Sequence, residues 1–123
     1  MTFKKRQHFK KLLLAELRRH AQHINDERAS ALDIANDDPQ DSDLAMHDVI
    51  QELALKLGDQ ESKMVADIDQ ALRRMEEGSY GMCVRCGREI DERRLEAVPT
   101  ARYDATCQEA VEAAKGQGAG PSL

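Results

Sequence analysis

The residues best suited to chemistry in this chain are three cysteines and one aspartate: Cys83, Cys86, Asp104 and Cys107. Cys83-Val84-Arg85-Cys86-Gly87 is a knuckle, with two thiols three positions apart on a turn opened by glycine, able to face a single metal ion. A four-ligand zinc site wants a second pair, often roughly 15 to 20 residues further on. Counting forward leads to Asp104-Ala105-Thr106-Cys107, so the pattern is C-x2-C-x17-D-x2-C. A carboxylate oxygen binds zinc, although structural sites mostly use thiolate and imidazole. Two readings stay open on the residues alone. One is a zinc site of three thiolates and the Asp104 carboxylate. The other is a degenerate knuckle that folds without metal, its thiols serving as small buried groups. In both the role is structural, because a closed four-ligand site leaves no position for substrate and no neighbouring His or Glu stands out as a general base. A redox reading of Cys83 and Cys86 wants a strand before the motif and a helix opening on it. Here the motif follows a helix stop.

The elements that must position this cluster follow from periodicity. Residues 3–35 contain neither Gly nor Pro, and Phe9, Leu13, Leu17, Ala21, Ile24 and Ala31 form one apolar stripe. Thr2 is placed to cap the start. About 33 residues of helix give a rod of roughly 50 Å. Asn36 to Asp43 is turn chemistry around Pro39, which pushes Asp38 out of the helical region. Asp41, Ser42 or Asp43 can cap the helix that follows. Residues 44–76 carry a second stripe through Met46, Ile50, Leu53, Leu57, Met64, Ile68, Ala71, Leu72 and Met75. Gly58 within it is read as tolerated or as a slight bend, and Gly78 as the helix stop. Two arms of near-equal length joined by a short turn predict a long antiparallel helical hairpin. The expected organisation is a hairpin over 1–76 with an acidic tip near 37–45, and a small cysteine module over 77–115 with a C-terminal helix. A Gly-rich disordered tail is expected over 116–123. The fold class is mainly α.

Composition limits the function. Of 123 residues only two are Phe, two Tyr and none Trp, while 33% are charged, so there is little material for a wide closed core. The net charge of −5 is uneven: residues 1–20 carry +6, residues 21–70 carry −10 and residues 71–123 carry −1. The acidic belt would be repelled by phosphate, so direct DNA binding is not expected and the partner is read as a protein. No apolar run approaches the ~18 to 20 residues of a membrane span. Lys4-Lys5-Arg6 is followed only by Leu12-Leu13-Leu14-Ala15 before Glu16, which does not read as a secretory signal. The odd cysteine count then argues against a disulfide framework, and a cytoplasmic, monomeric protein is expected.

The run Ala71-Leu72-Arg73-Arg74-Met75-Glu76-Glu77-Gly78-Ser79-Tyr80-Gly81-Met82-Cys83-Val84-Arg85-Cys86-Gly87, followed by Ile90, Arg94-Leu95-Glu96-Ala97, Pro99-Thr100-Ala101 and Cys107, resembles the zinc-finger segment of the DksA/TraR family. The resemblance is close over about forty residues, and the hairpin in front matches in length and arrangement. It implies a coiled coil with a small zinc module and no enzymatic activity. It also implies direct binding to RNA polymerase, with the coil entering the secondary channel to alter promoter complexes, as in the stringent response. The family's tip motif, Asp-x-x-Asp-x-Ala, falls without gaps on Gln40, Asp43 and Ala45, so Asp43 and Ala45 are the expected contacts with the polymerase active-site region. Two departures stand out. One zinc-ligand cysteine is replaced by Asp104. The positions where relatives hold guanosine tetraphosphate with basic residues are Asp67, Val98 and Gln108 here, which implies weak dependence on that alarmone. A transcript-cleavage factor of the Gre type and a generic coiled-coil adaptor are the alternatives. The first would want a larger C-terminal globule than residues 79–115 supply.

Overall fold

The computed structural model describes residues 1–22 and 43–118. These residues include five helices, and the chain divides into two compact units, Met1–Tyr80 and Gly81–Leu123. The mainly helical class matches the periodicity. No helix among the described residues is long and apolar enough to cross a membrane.

The first unit contains α1 (Phe3–Ala21), α2 (Asp43–Leu55) and α3 (Asp59–Glu77). Thr2 caps α1 as its position suggests, its hydroxyl accepting from the Lys5 N–H at 3.2 Å. The stripe is buried as predicted at Phe9, Leu13, Leu17 and Ala21, and Leu14 joins it. The rest of the first arm, including Ile24 and Ala31, lies outside the described residues, as do residues 37–42 of the expected tip. Phe9, near the start of α1, has its ring 5.8 Å from that of Tyr80, just beyond the end of α3. Since α1 and α3 also pack along each other, they run in opposite senses, as a hairpin requires.

The second arm differs from the expected single helix. α2 stops at Leu55, Lys56 and Leu57 turn on bonds from their N–H groups to the carbonyls of Leu53 and Ala54, and α3 starts after Gly58. α2 then folds back along α3. His47, in the second turn of α2, hydrogen-bonds Asp69 and Glu76, and these lie 22 and 29 residues away. One continuous helix would place His47 and Glu76 about 43 Å apart. Gly58 permits the break, being a poor helix-interior residue that lies at φ −67°, ψ 166°, an extended conformation, and the His47 contacts with Asp69 and Glu76 fix the folded-back arrangement. Packed on two sides, α3 buries a wide face of Val65, Ile68, Asp69, Ala71, Leu72 and Met75.

Gly78 ends α3 as the sequence indicates. It sits at φ +81° and its N–H reaches the carbonyls of Arg74 and Met75. A side chain at such an angle costs about 1 to 2 kcal/mol. Gly78→Ala should therefore lower the stability of the first unit by about 1 kcal/mol, read as a reduced urea midpoint at unchanged slope. No loss would show that the αL cap contributes nothing.

The second unit holds α4 (Glu92–Ala97) and α5 (Ala105–Gly118) around an isolated antiparallel bridge between Met82 and Glu89. α5 runs on through 116–118, so the expected start of the tail at 116 is displaced, and residues 119–123 lie outside the described residues. The buried apolar groups here are few: Cys83, Ile90, Leu95, Ala101 and Cys107. A core this small gives limited hydrophobic stabilisation, and modules of this size commonly add a metal or another staple.

Candidate metal centre

The knuckle is shaped by its backbone. The Cys83 N–H donates to the Arg88 carbonyl at 2.7 Å, and the Gly87 N–H returns to the Cys83 carbonyl at 2.9 Å. Gly87 takes φ +77°, which lets the turn close and leaves both thiols on one side. The Ile90 N–H to the Gly81 carbonyl, at 2.7 Å, closes the loop's base. The other two groups come from the start of α5. Asp104 is its cap: Oδ1 accepts from the Cys107 N–H at 2.7 Å, and the Asp104 carbonyl accepts from the Gln108 N–H at 2.8 Å. The Val84 N–H bonds the Arg102 carbonyl at 2.8 Å, tying the knuckle to the segment that leads into this cap.

This architecture brings all four sequence-predicted groups together. One ligand atom from each of Cys83, Cys86, Asp104 and Cys107 lies within 4.8 Å of every other. Tetrahedral zinc, with bonds of about 2.0 to 2.3 Å, needs ligand atoms some 3.3 to 3.8 Å apart, so the set fits the ion with small adjustments. Asp104 fits for a specific reason: one carboxylate oxygen caps α5 while the other, Oδ2, accepts from the Cys86 Sγ at 3.1 Å and faces the thiols. When bound, zinc would supply a cross-link between knuckle and helix. No position is left for substrate chemistry.

The electrostatics show how the cluster satisfies itself. Burial works against ionising Cys83, but hydrogen bonds from the backbone of Asp104, Cys86 and Arg85, with help from the Cys86 thiol, outweigh it and bring the thiol down to about 7. The Arg88 backbone N–H favours the Cys86 thiolate, yet the Asp104 carboxylate, burial and the other two sulfurs prevail and push it up to about 12. The Asp104 carboxyl is held below the usual carboxylate range by the Cys107 N–H first and then by the Cys86 and Cys107 thiols. Cys86 is thus the proton donor and Asp104 the acceptor. Arg85, whose Nη1 stands 3.6 Å from the Cys107 Sγ, is held protonated by that sulfur. The sequence reading missed this cation, although its place inside the knuckle was a signal.

Asp43 and Ala45 fall in the first turn of α2. The sequence reading also missed the cluster around His47. Its ring is buried, Nδ1 pairing with Asp69 Oδ1 and Nε2 lying 2.7 Å from Glu76 Oε1, while Asp69 Oδ2 accepts from Arg73 Nε at 3.1 Å. The available signal was a histidine next to Met46 on the apolar stripe.

A helical protein carrying a small cysteine-rich metal module is the class that fold and site define together. The family description "Prokaryotic dksA/traR C4-type zinc finger" matches residues 78–113. The chain is 33% identical over 120 residues to the RNA polymerase-binding transcription factor DksA of Salmonella typhimurium, covering 92% of this chain and 75% of that one. It is 38% identical over 101 residues to the protein of the same name from Caulobacter vibrioides, covering 82% of this chain and 66% of that one. Among solved structures it is similar to transcription factor DksA2 from Pseudomonas aeruginosa, at 29% identity and a TM-score of 0.63, with 94% of this chain and 88% of that chain covered. The chain belongs to the DksA/TraR zinc-finger family, with Asp104 standing in a site the family description gives as four cysteines.

Proposed function

We propose that this chain is a cytoplasmic, non-enzymatic transcription regulator that binds RNA polymerase and acts through the secondary channel. The observation that carries the reading is alignment over 92% of the chain, knuckle included, with a relative named for RNA polymerase binding. In this reading Cys83, Cys86, Asp104 and Cys107 hold a structural zinc that fixes the second unit. Asp43 and Ala45 are the residues that would approach the polymerase active site. A carboxylate there can engage basic groups or a metal ion, and a small Ala45 permits close approach. Exposed Lys4, Lys5 and Lys11 on α1 would speed encounter with an acidic rim, since exposed complementary charge acts mainly on association rate. Asp67, Val98 and Gln108 offer no cation to a polyphosphate, so guanosine tetraphosphate has little to hold at these positions.

The test is binding of the purified chain to core RNA polymerase, together with single-round transcription from promoters with short-lived open complexes. Asp43→Asn should remove most of the promoter effect while polymerase affinity stays within about threefold, because one rim carboxylate contributes little to affinity. Adding guanosine tetraphosphate should change the wild-type effect by less than about twofold, the expectation where no charge-assisted contact forms. An unbound polymerase would end the reading. A strong alarmone response would overturn its last part.

A further inference from the structure

We infer that α2 is a hinged arm: the Lys56–Gly58 turn can straighten so that residues 43–77 form one helix, and the His47 contacts with Asp69 and Glu76 hold the arm closed. The first support is the phase of the apolar seam. Met46, Ile50, Leu53 and Leu57 continue at steps of three and four through Gln60 to Met64, Ile68, Ala71 and Met75. The seam crosses the turn without slipping, which a sequence committed only to a folded-back pair has no need to do. The second support is what closure leaves outside. On the seam, Leu57 is only half-buried and Met64 is 45% exposed. The third is the hinge itself. Gly58 starts α3 with no side-chain cap hydrogen bond, and nothing lies within 4 Å of where a Cβ would stand. Gly58 thus has room to change its backbone conformation, while the turn before it is closed by the Lys56 and Leu57 N–H bonds to the Leu53 and Ala54 carbonyls.

The closure is polar and specific. His47 is buried between two carboxylates of α3, and Arg73 supports Asp69. Straightening exchanges these bonds for helix hydrogen bonds across 56–58 and moves the start of α2, with Asp43, away from the end of α3. This deepens the proposed function by assigning it a control: the closed arm keeps the start of α2 beside the end of α3, and polymerase binding draws the arm open. Only that trigger rests on the proposed function, since the hinge stands on the fold.

The experiment is a distance distribution from spin labels on noncanonical residues at exposed positions 48 and 77, which leaves the cysteines untouched. In the free wild type a short distance, under about 20 Å, should dominate. The straight helix gives about 43 Å. Gly58→Ala should raise the ratio of long to short about fivefold, the helix preference of Ala over Gly converted to a population. His47→Ala should raise it further. Gly58→Pro, which cannot sit inside a helix, should abolish the long distance. Polymerase should shift the wild type to the long distance. A folded Gly58→Ala protein showing no long population overturns the hinge, as does a free wild type that is only long. A polymerase-bound protein that stays short overturns the trigger and leaves polymerase binding intact. Absence of polymerase binding refutes the proposed function, while Gly58→Ala in the free protein still decides the hinge.

Discussion

Replacing Asp104 by alanine should lower zinc affinity by about 100-fold or more and weaken the second unit as well. Losing an outer partner of a metal ligand already costs roughly 10- to 100-fold, and Asp104 is placed as a ligand. The same carboxylate caps α5, and losing a cap costs about 1 kcal/mol. The two roles separate by substitution. Asp104→Asn keeps a good cap but no anion, so it should bind zinc almost as poorly as Asp104→Ala while the metal-free module keeps its stability. Asp104→Cys should bind more tightly than wild type, through four thiolates, with the metal-free module losing the cap. Competition with a chromophoric chelator reads the affinity, and circular dichroism with and without chelator reads the fold. Wild-type affinity unchanged in Asp104→Asn would remove Asp104 from the ligand set, whereas a folded wild type with no measurable zinc affinity would establish the degenerate knuckle.

The direction with pH is also set. Asp104 is held below the usual carboxylate range by the Cys107 N–H and the neighbouring thiols. A group depressed on folding contributes stability above its unfolded pKa, and that stability is lost as pH falls through its folded value. Acid should therefore loosen the metal-free module at its α5 cap. Zinc uptake must also displace the proton of Cys86, a thiol pushed up to about 12, so apparent affinity should rise with pH and uptake should release protons.

The cysteine module was legible because its determinants are local. The spacing C-x2-C-x17-D-x2-C names the groups and Gly87 permits the knuckle, while the cap that Asp104 gives α5 is seen only in the structure. α1 was legible for the same reason, through Thr2 and a stripe interrupted by no glycine or proline. The break at 56–58 was not legible. A single glycine costs a helix only about 1 kcal/mol, and the apolar seam keeps its phase on both sides, so no local term opposes one long helix. What decides is a contact across 22 and 29 residues between His47 and the carboxylates of Asp69 and Glu76. Periodicity reports which face an element buries, not which partner covers it.

The partner of that contact leads to the second large effect: His47→Ala should destabilise the first unit by about 3 kcal/mol. Both ring nitrogens lie against carboxylate oxygens, so the ring links Asp69 to Glu76 across α3. The ring is almost wholly shielded, Asp69 is 8% exposed, and Glu76 is nearer the surface. Deleting one member of a buried charged group typically costs about 3 to 5 kcal/mol, since the charges left behind lose their compensation. The lower end applies because Asp69 keeps Arg73 and Glu76 can turn to water. The informative measurement is a double-mutant cycle. Asp69→Ala alone should cost about 2 kcal/mol, leaving His47 one acceptor, and the double variant should lose less than the sum, with a coupling of about 1 to 2 kcal/mol. His47→Leu distinguishes packing from charge. It fills the space but offers the carboxylates no ring nitrogen, so it should recover less than half of the loss if the hydrogen bonds to Asp69 and Glu76 hold α2 in place, and nearly all of it if the site is only a filled cavity. Additive losses in the cycle would mean that α2 lies against α3 on its apolar seam alone, and the polar clasp would then have no part in holding the arm.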